Sequence, residues 1–158
     1  MPDMPDRTKS ILLVEDNPRD VQLIKRSLAT HGIANCMDVL TDGAQALDYL
    51  FCRGPYADRD PALLPVVILL DLKLPKVDGF EVSAQVRSDP RTCHIPVVIL
   101  TSSSLDEDLV RSYESGANSY VRKPVDFLEF HEKMRRLGLY WLVVNEPPPN
   151  DHRARSQS

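Results

Sequence analysis

The sequence is short of cysteine and contains no long hydrophobic run. Its three cysteines, Cys36, Cys52 and Cys93, are widely spaced and form no CxxC motif, which excludes a disulfide framework and a zinc knuckle. No apolar run approaches the ~18 residues of a membrane span, and the polar N-terminus lacks the apolar core of a signal peptide. The sequence therefore predicts reduced thiols and a cytoplasmic protein that does not associate with membranes.

An excess of positive charge is also missing. The chain has 19 lysines and arginines against 23 acidic residues, a formal net charge of −4. Nucleic-acid binding requires clustered lysine and arginine, so this balance argues against a nucleic-acid partner. The hydrophobic fraction of 42% and the charged fraction of 27% are typical of an ordinary globular domain.

A length of 158 residues predicts one folded domain. We place this domain at residues 10–144. The segments on either side, residues 1–9 and 145–158, are predicted to be disordered, because a stretch such as NEPPPNDHRARSQS at the C-terminal end cannot bury itself. They leave no room for a second folded domain.

Short apolar segments predict five strands. The four apolar segments are Ile11–Val14, Val66–Leu70, Val97–Leu100 and the weaker Ser119–Val121, and a more polar run, Cys36–Leu40, is expected at an edge of the sheet. Three of these segments are continuously apolar rather than alternating, which is typical of parallel strands that are covered on both faces.

Helix-length segments separate the strands. They run from Pro18 to Gly32, from a cap at Asp42 to about Leu50, and then over Gly79–Arg87, Leu105–Ser115 and Val125–Leu142. Alternation of strand and helix predicts an open α/β sheet with helices on both faces. The proline-rich segment Phe51–Pro65 does not fit the repeat, and we expect a long connection on the surface.

Acidic, hydroxyl and basic side chains come directly after the predicted strands. Glu15 and Asp16 follow the first strand, Asp71 the third and Thr101 the fourth, while Lys123 closely follows the fifth. In an open α/β sheet, ligands bind beyond the carboxyl ends of the strands. We therefore expect three acids, a hydroxyl and an amine to meet at one edge.

Four motifs in this order resemble a known family. They are ILLVEDNP (Ile11–Pro18), LLDLKLPKVDG (Leu69–Gly79), VILTSSS (Val98–Ser104) and YVRKP (Tyr120–Pro124). Each lies at the end of a predicted strand, and together they resemble the receiver domain of two-component response regulators, the CheY-like family. The resemblance covers roughly residues 10–142 and implies a three-layer (βα)5 doubly wound parallel sheet, flavodoxin/CheY-like, with strand order 2-1-3-4-5.

Asp71 is the predicted phosphoryl acceptor. A carboxylate is a poor nucleophile toward phosphorus while its own charge repels the incoming group, and a divalent cation cancels that repulsion. Mg²⁺ (or Mn²⁺) prefers oxygen ligands, which Asp16 and Asp71 would supply directly and Glu15 directly or through water. The resemblance adds the backbone carbonyl of Lys73 as a further metal ligand.

The other site residues are expected to act on the phosphoryl group. Lys123 would pair with its oxygens as a compact charge, Thr101 offers a hydroxyl donor, and Ser102 offers a backbone N–H. The resemblance implies a cis Lys123–Pro124 peptide bond and an aromatic switch at Tyr120. That ring would turn inward when Thr101 moves, which couples the site to the surface of the fourth helix, fifth strand and fifth helix.

These residues predict a single-domain response regulator that accepts a phosphoryl group on Asp71 from a sensor histidine kinase and signals by protein–protein interaction. We expect no enzyme activity on an external substrate, only Mg-dependent self-phosphorylation and slow autodephosphorylation. The VEDNPRD opening, the proline-rich insert and the aromatic C-terminal end are similar to stand-alone regulators of bacterial phytochromes, which implies a bacteriophytochrome as the kinase. A homodimer is expected through the fourth-helix, fifth-strand and fifth-helix face and the apolar segment LGLYWLVV (Leu137–Val144).

Other interpretations remain open at this point. An aspartyl-phosphate phosphatase or mutase needs a second acid two residues after the nucleophile, and Lys73 occupies that position. A phosphate sink without a downstream target would use the same residues. Glu15 and Asp16 could merely cap the first helix, and Tyr120 could be a packing residue.

Overall fold

The computed structural model describes residues 9–30, 36–102 and 105–139, in which strands and helices alternate. The strands are β1 (Ile11–Val14), β2 (Met37–Leu40), β3 (Val67–Leu70), β4 (Val97–Thr101) and β5 (Ser119–Arg122). The helices are α1 (Pro18–Thr30), α2 (Gly43–Leu50), α3 (Gly79–Ser88), α4 (Asp106–Glu114) and α5 (Phe127–Arg136), with a short 3₁₀ helix at Gly54–Tyr56. The predicted termini, 1–9 and 145–158, lie outside the described residues except for Lys9.

The strands form one parallel sheet in the order β2-β1-β3-β4-β5. This confirms the predicted α/β fold and strand order. In the register, Val14 at the end of β1 lies opposite both Leu40 and Leu70. The carboxyl ends of β1, β2 and β3 are therefore level, and the residues that follow them emerge at one edge of the sheet.

Helices cover both faces of the sheet, as the continuously apolar strands require. Leu12 and Ile68 point into a buried cluster with side chains of α2 and α3. Leu13 and Leu69 point into a second cluster with side chains of α1 and α5. All four side chains are at most 1% exposed, so the central strands have no solvated face and the arrangement has three layers.

Aspartates at three helix starts have structural roles. Asp42, Asp78 and Asp126 each accept a hydrogen bond from the backbone N–H three residues later, at 2.7, 2.9 and 3.0 Å. These are N-caps, which satisfy amide groups that a helix leaves unpaired at its start. The cap at Asp42 was predicted, and all three aspartates are thereby distinguished from the acids of the candidate site.

The last helix is shorter than predicted. The sequence pattern predicts a helix to Leu142, but α5 ends at Arg136 because Gly138 adopts a φ of +76°, which glycine tolerates and other residues avoid. The N–H of Leu139 donates to the carbonyl of Met134 at 2.9 Å, and the buried Leu139 side chain joins the same core cluster. This is a Schellman-type helix end. The rest of the predicted helix and dimer segment, residues 140–144, lies outside the described residues.

The insert before β3 runs along the surface, as expected, and packs on the end of α2. The Tyr56 ring meets the Tyr49 ring edge-on, with centroids 5.5 Å apart. The Arg59 guanidinium lies over the Tyr49 ring, 4.2 Å from its centroid, and Arg59 Nε donates a hydrogen bond to the Tyr49 carbonyl at 2.9 Å. None of the helices in the described residues is both long and apolar enough to cross a membrane.

Candidate functional site at the carboxyl edge of the sheet

Three carboxylates converge where β1 and β3 end. Glu15 and Asp16 follow β1, Asp71 follows β3, and one carboxylate oxygen from each lies within 4.8 Å of the other two. Glu15 is 1% exposed and Asp71 is 8% exposed, while Asp16 is open to solvent. The structure thus brings together the three acids that the sequence placed at one edge.

Local hydrogen bonds show that Glu15 and Asp16 are not helix caps. The cap of α1 is Asn17, whose Oδ1 accepts from the N–H of Arg19 at 2.9 Å and of Asp20 at 3.3 Å. Glu15 Oε2 accepts from the N–H of Asn17 at 3.2 Å, which holds the carboxylate against the loop. The capping interpretation of these two acids is therefore wrong. One carboxylate oxygen of each belongs to the cluster with Asp71.

The loop after Asp71 is held close to the strand end. Asp71 Oδ1 accepts a hydrogen bond from the N–H of Leu72 at 2.8 Å, and the N–H of Gly79 donates to the carbonyl of Leu72 at 2.8 Å. A Cβ at Gly79 would lie 2.2 Å from the Asp71 carbonyl oxygen, so only glycine fits at the start of α3. This close approach fixes the backbone that carries the Asp71 carboxylate.

Lys123 supplies the positive charge of the site. Its Nζ donates to Glu15 Oε1 at 2.7 Å and to Asp20 Oδ2 at 2.9 Å, and lies 3.7 Å from Asp71 Oδ2. Burial, the largest single influence, lowers the pKa of Lys123, but the hydrogen bonds to Glu15 and Asp20 and the charge of Asp71 together raise it above its usual value. The amine therefore stays protonated.

Asp71 holds its proton more strongly than an ordinary carboxyl. Burial of the carboxylate and then the negative charge of Glu15 raise the pKa of Asp71 from 3.8 to about 6, against the opposing influence of Lys123 and the Leu72 amide. Asp71 is therefore ionised at neutral pH, but its negative charge is destabilised by the surroundings of the metal-free site. A cation bound between the acids would relieve this cost.

The raised pKa gives a prediction about stability. Below about pH 4, Asp71 is protonated in both the folded and the unfolded chain. Above about pH 6 it is ionised in both, and only in the folded chain do its surroundings destabilise the charge. We expect Asp71→Asn to raise the free energy of unfolding of the metal-free protein by about 1–2 kcal/mol at pH 7, with a difference that shrinks toward pH 4. Urea unfolding of both proteins in EDTA across this pH range measures it, and a gain that does not vary with pH would contradict it.

The remaining predicted residues lie around this cluster. Thr101 ends β4 and is 2% exposed, and its carbonyl accepts from the N–H of Lys123 at 2.8 Å. The Lys123–Pro124 peptide bond is cis, as the resemblance implies. Ser102 is exposed, whereas Tyr120, on β5, is 6% exposed and belongs to the core cluster that contains Leu12 and Ile68.

Two further features concern residues near the cluster. Lys73 is exposed in the loop after β3, two positions past Asp71. Sequence reasoning missed Asp20 as a site residue, although it closes the VEDNPRD segment that begins at the end of β1 and lies in the first turn of α1. Ser103 and Ser104, the end of the VILTSSS motif, lie outside the described residues.

The three acids fit a divalent cation. Hard cations such as Mg²⁺ and Mn²⁺ prefer carboxylate oxygens, and Mg²⁺ needs only one or two protein carboxylates because it retains several waters. Glu15 and Asp71 are buried beside the solvent-exposed Asp16, which leaves one side of the cluster open to water. The donor set and its open side match a divalent metal site.

Comparison with known proteins agrees with this geometry. The sequence model of the family described as response regulator receiver domain matches residues 11–135. The chain is 42% identical over 138 residues to the probable methanogenesis regulatory protein FilR2 of Methanothrix harundinacea (strain 6Ac), covering 87% of this chain and 86% of that protein. It is 37% identical over 142 residues to response regulator Rcp1 of Synechocystis sp. (strain ATCC 27184 / PCC 6803 / Kazusa), covering 90% and 95%.

Solved structures give the same result. The bacteriophytochrome response regulator AtBRR is 51% identical with a TM-score of 0.77, over 87% of this chain and 98% of that one. The Mn(2+)-bound form of response regulator Rcp1 is 36% identical with a TM-score of 0.69, over 89% and 99%. The chain therefore belongs to the response regulator receiver domain family of two-component systems, which signals through phosphorylation of an aspartate.

Proposed function

We propose that Asp71 is the aspartate that accepts the phosphoryl group, and that the donor is the phosphohistidine of a sensor histidine kinase. One observation carries this proposal: the Asp71 carboxylate shares a cluster with Glu15 and Asp16 and lies 3.7 Å from the ammonium of Lys123. A nucleophile, candidate metal ligands and a cation for the phosphoryl oxygens thus occupy one edge of the sheet.

The proposed chemistry follows from this placement. An oxygen of the Asp71 carboxylate forms a bond to phosphorus while the phosphorus–nitrogen bond of the phosphohistidine breaks and its electron pair returns to the imidazole. A divalent cation, Mg²⁺ in our proposal, would neutralise charge between Asp71 and the phosphoryl oxygens and would be bound by Glu15, Asp16, Asp71 and the Lys73 carbonyl. Lys123 pairs with the phosphoryl oxygens, and Thr101 and Ser102 donate hydrogen bonds to the new anion.

A phosphatase or mutase fits the site less well. Those enzymes need an acid two residues past the nucleophile to protonate and deprotonate the substrate, and Lys73 cannot do this. The proposed activity is therefore phosphorylation of the chain itself, followed by slow hydrolysis of the acyl phosphate. A regulator and a phosphate sink share these steps and differ in whether phosphorylation changes binding to another protein.

The kinase we propose is a bacteriophytochrome. The support is similarity to the structure described as the bacteriophytochrome response regulator AtBRR, at 51% identity. Histidine kinases form their phosphohistidine from ATP, which is the reason to propose that the regulator works in the cytoplasm.

The test of the proposed function is phosphotransfer to the full chain. We expect a purified bacteriophytochrome kinase labelled with radioactive ATP to pass its label to this protein within minutes in Mg²⁺, and to lose transfer when EDTA removes the metal. The label should be sensitive to hydroxylamine, as an acyl phosphate is. Absence of label from every histidine kinase of the source organism and from acetyl phosphate would overturn the proposal.

Output is proposed to run through the face formed by α4, β5 and α5, where two copies of the chain would associate. A groove of about 540 Å³ opens there, lined by Leu109, Tyr113, Tyr120, Arg122, Glu129 and Lys133. Tyr120 is buried and lies on β5, which pairs with the strand β4 that ends at Thr101. A change at the phosphorylated site therefore has a direct route to the groove.

The dimer proposal predicts a defined sedimentation result. Tyr113 on α4 is 46% exposed beside the groove, so Tyr113→Glu would place a charge in the interface and convert the dimer to monomer. Leu23→Glu, on α1 and equally exposed at 49%, is the matched control and should leave the dimer intact. A wild-type chain that sediments as a monomer at high concentration, with and without a phosphoryl analogue, would contradict the proposal.

A further inference from the structure

Asp20 contacts the ammonium of the site from an element that carries none of the three clustered carboxylates. It lies in the first turn of α1, and its Oδ2 accepts a hydrogen bond from Lys123 Nζ at 2.9 Å. The same Nζ is 3.7 Å from Asp71 Oδ2. Lys123 is therefore bound to Asp20 and is beyond hydrogen-bond distance of the proposed acceptor.

The ammonium has a limited number of donors to share. Two of its three N–H groups point to Glu15 and Asp20. The Lys123 side chain is only 10% exposed, so water supplies few alternative partners. A phosphoryl group on Asp71 would add about −1.5 to −2 charges and three strong acceptor oxygens within reach of the same donors.

Asp20 is the partner that Lys123 can release at the lower cost. The side chain of Glu15 is 1% exposed and that of Asp20 is 31% exposed. A buried carboxylate that loses its cation keeps an uncompensated charge, whereas a partly exposed one is rehydrated. Exchange of Asp20 for phosphoryl oxygens therefore leaves Glu15 paired and no buried charge alone.

We propose that Asp20 is a positioning residue that holds Lys123 in the unphosphorylated protein and releases it to the phosphoryl group when Asp71 is phosphorylated. The proposal rests on the proposed function, since it requires Asp71 to be the acceptor. The Asp20–Lys123 pair stabilises only the unphosphorylated state, so by linkage it opposes phosphorylation. It also ties α1 to the segment after β5 and unties them on phosphorylation.

The affinity of the full chain for beryllium trifluoride, a phosphoryl analogue, in saturating Mg²⁺ tests this competition. Asp20→Asn should tighten binding about fivefold, because the analogue no longer competes with Asp20 for Lys123. Asp126→Asn is the matched control: it removes the same charge from the same edge and asparagine still caps α5. Its affinity should stay within about twofold of wild type.

A double-mutant cycle separates a role through Lys123 from plain repulsion by a nearby charge. In the Lys123→Met background, Asp20→Asn should change the affinity by less than about twofold. Equal tightening with and without Lys123 would overturn the proposal, and so would an unchanged affinity of Asp20→Asn in the wild-type background.

A metal-free measurement reports on the contact itself. In EDTA at one pH, the NMR signals of the Lys123 ammonium and its neighbouring methylene should shift in Asp20→Asn and remain in place in Asp126→Asn. Unmoved signals in Asp20→Asn would overturn the proposal. If the wild-type chain bound no beryllium trifluoride, both this proposal and the proposed function would fail. If it bound and the variants did not differ, this proposal alone would fail.

Discussion

Asp71→Asn is expected to abolish phosphorylation of the chain by acetyl phosphate and by any histidine kinase. Asparagine is nearly the same size as aspartate, so the buried position beside Leu72 is retained, but its amide has no anionic oxygen to attack phosphorus. The change also removes one of the three carboxylates grouped within 4.8 Å, so we expect the affinity for Mg²⁺ to fall as well. Hydroxylamine-sensitive radioactive label after separation on a gel measures the loss.

The matched control for this result is Asp78→Asn. Asp78 lies at the same edge and accepts from the N–H of Glu81 at 2.9 Å as the cap of α3, a role that asparagine performs equally well. Labelling of this variant should equal that of wild type. Acid-labile label that persists in Asp71→Asn would show that another carboxylate is the acceptor.

The fold could be predicted because burial on both faces leaves a simple signal in the sequence. Segments such as Ile11–Val14 and Val97–Leu100 are continuously apolar, and few arrangements other than covered parallel strands accommodate them. The level register of β1 and β3 then placed Glu15 and Asp71 at one edge. The acidic cluster was accessible from the sequence for this reason.

Other features depended on geometry that strand patterns do not encode. Adjacent residues point in different directions, so the burial of Glu15 and the exposure of Asp16 followed only from the loop and the cap at Asn17. The Asp20–Lys123 contact joins residues 103 positions apart and depends on the rotamer of a long side chain. The end of α5 was misplaced because the apolar periodicity continues through Gly138, although glycine after a helical run is itself a stop signal.

Lys123→Met is expected to have opposite effects on metal binding and on phosphorylation. Methionine fills a similar volume without charge, so Glu15 and Asp71 lose the cation that lies 2.7 and 3.7 Å away. A metal ion then meets more uncompensated negative charge and less repulsion, which should tighten Mg²⁺ binding. Phosphoryl transfer should slow by about 10²-fold, because the developing charge on the phosphoryl oxygens has lost its ammonium donor.

The same change should destabilise the metal-free fold, since Glu15 is 1% exposed and would lose the ammonium that compensates its charge, although the N–H of Asn17 still donates to it at 3.2 Å. Loss of one member of a buried ion pair typically costs about 3–5 kcal/mol, and the open side of this site reduces the expected cost to about 2–3 kcal/mol. Urea unfolding in EDTA measures this cost, and saturating Mg²⁺ should recover most of it.

The matched control is Lys76→Met, which removes an equal charge from the neighbouring loop. Lys76 is 68% exposed and 3.8 Å from Asp42, so its loss should change neither stability nor labelling appreciably. A Lys123→Met protein with weaker Mg²⁺ binding, or with unchanged phosphorylation, would show that the ammonium does not act on the shared charge of Glu15 and Asp71.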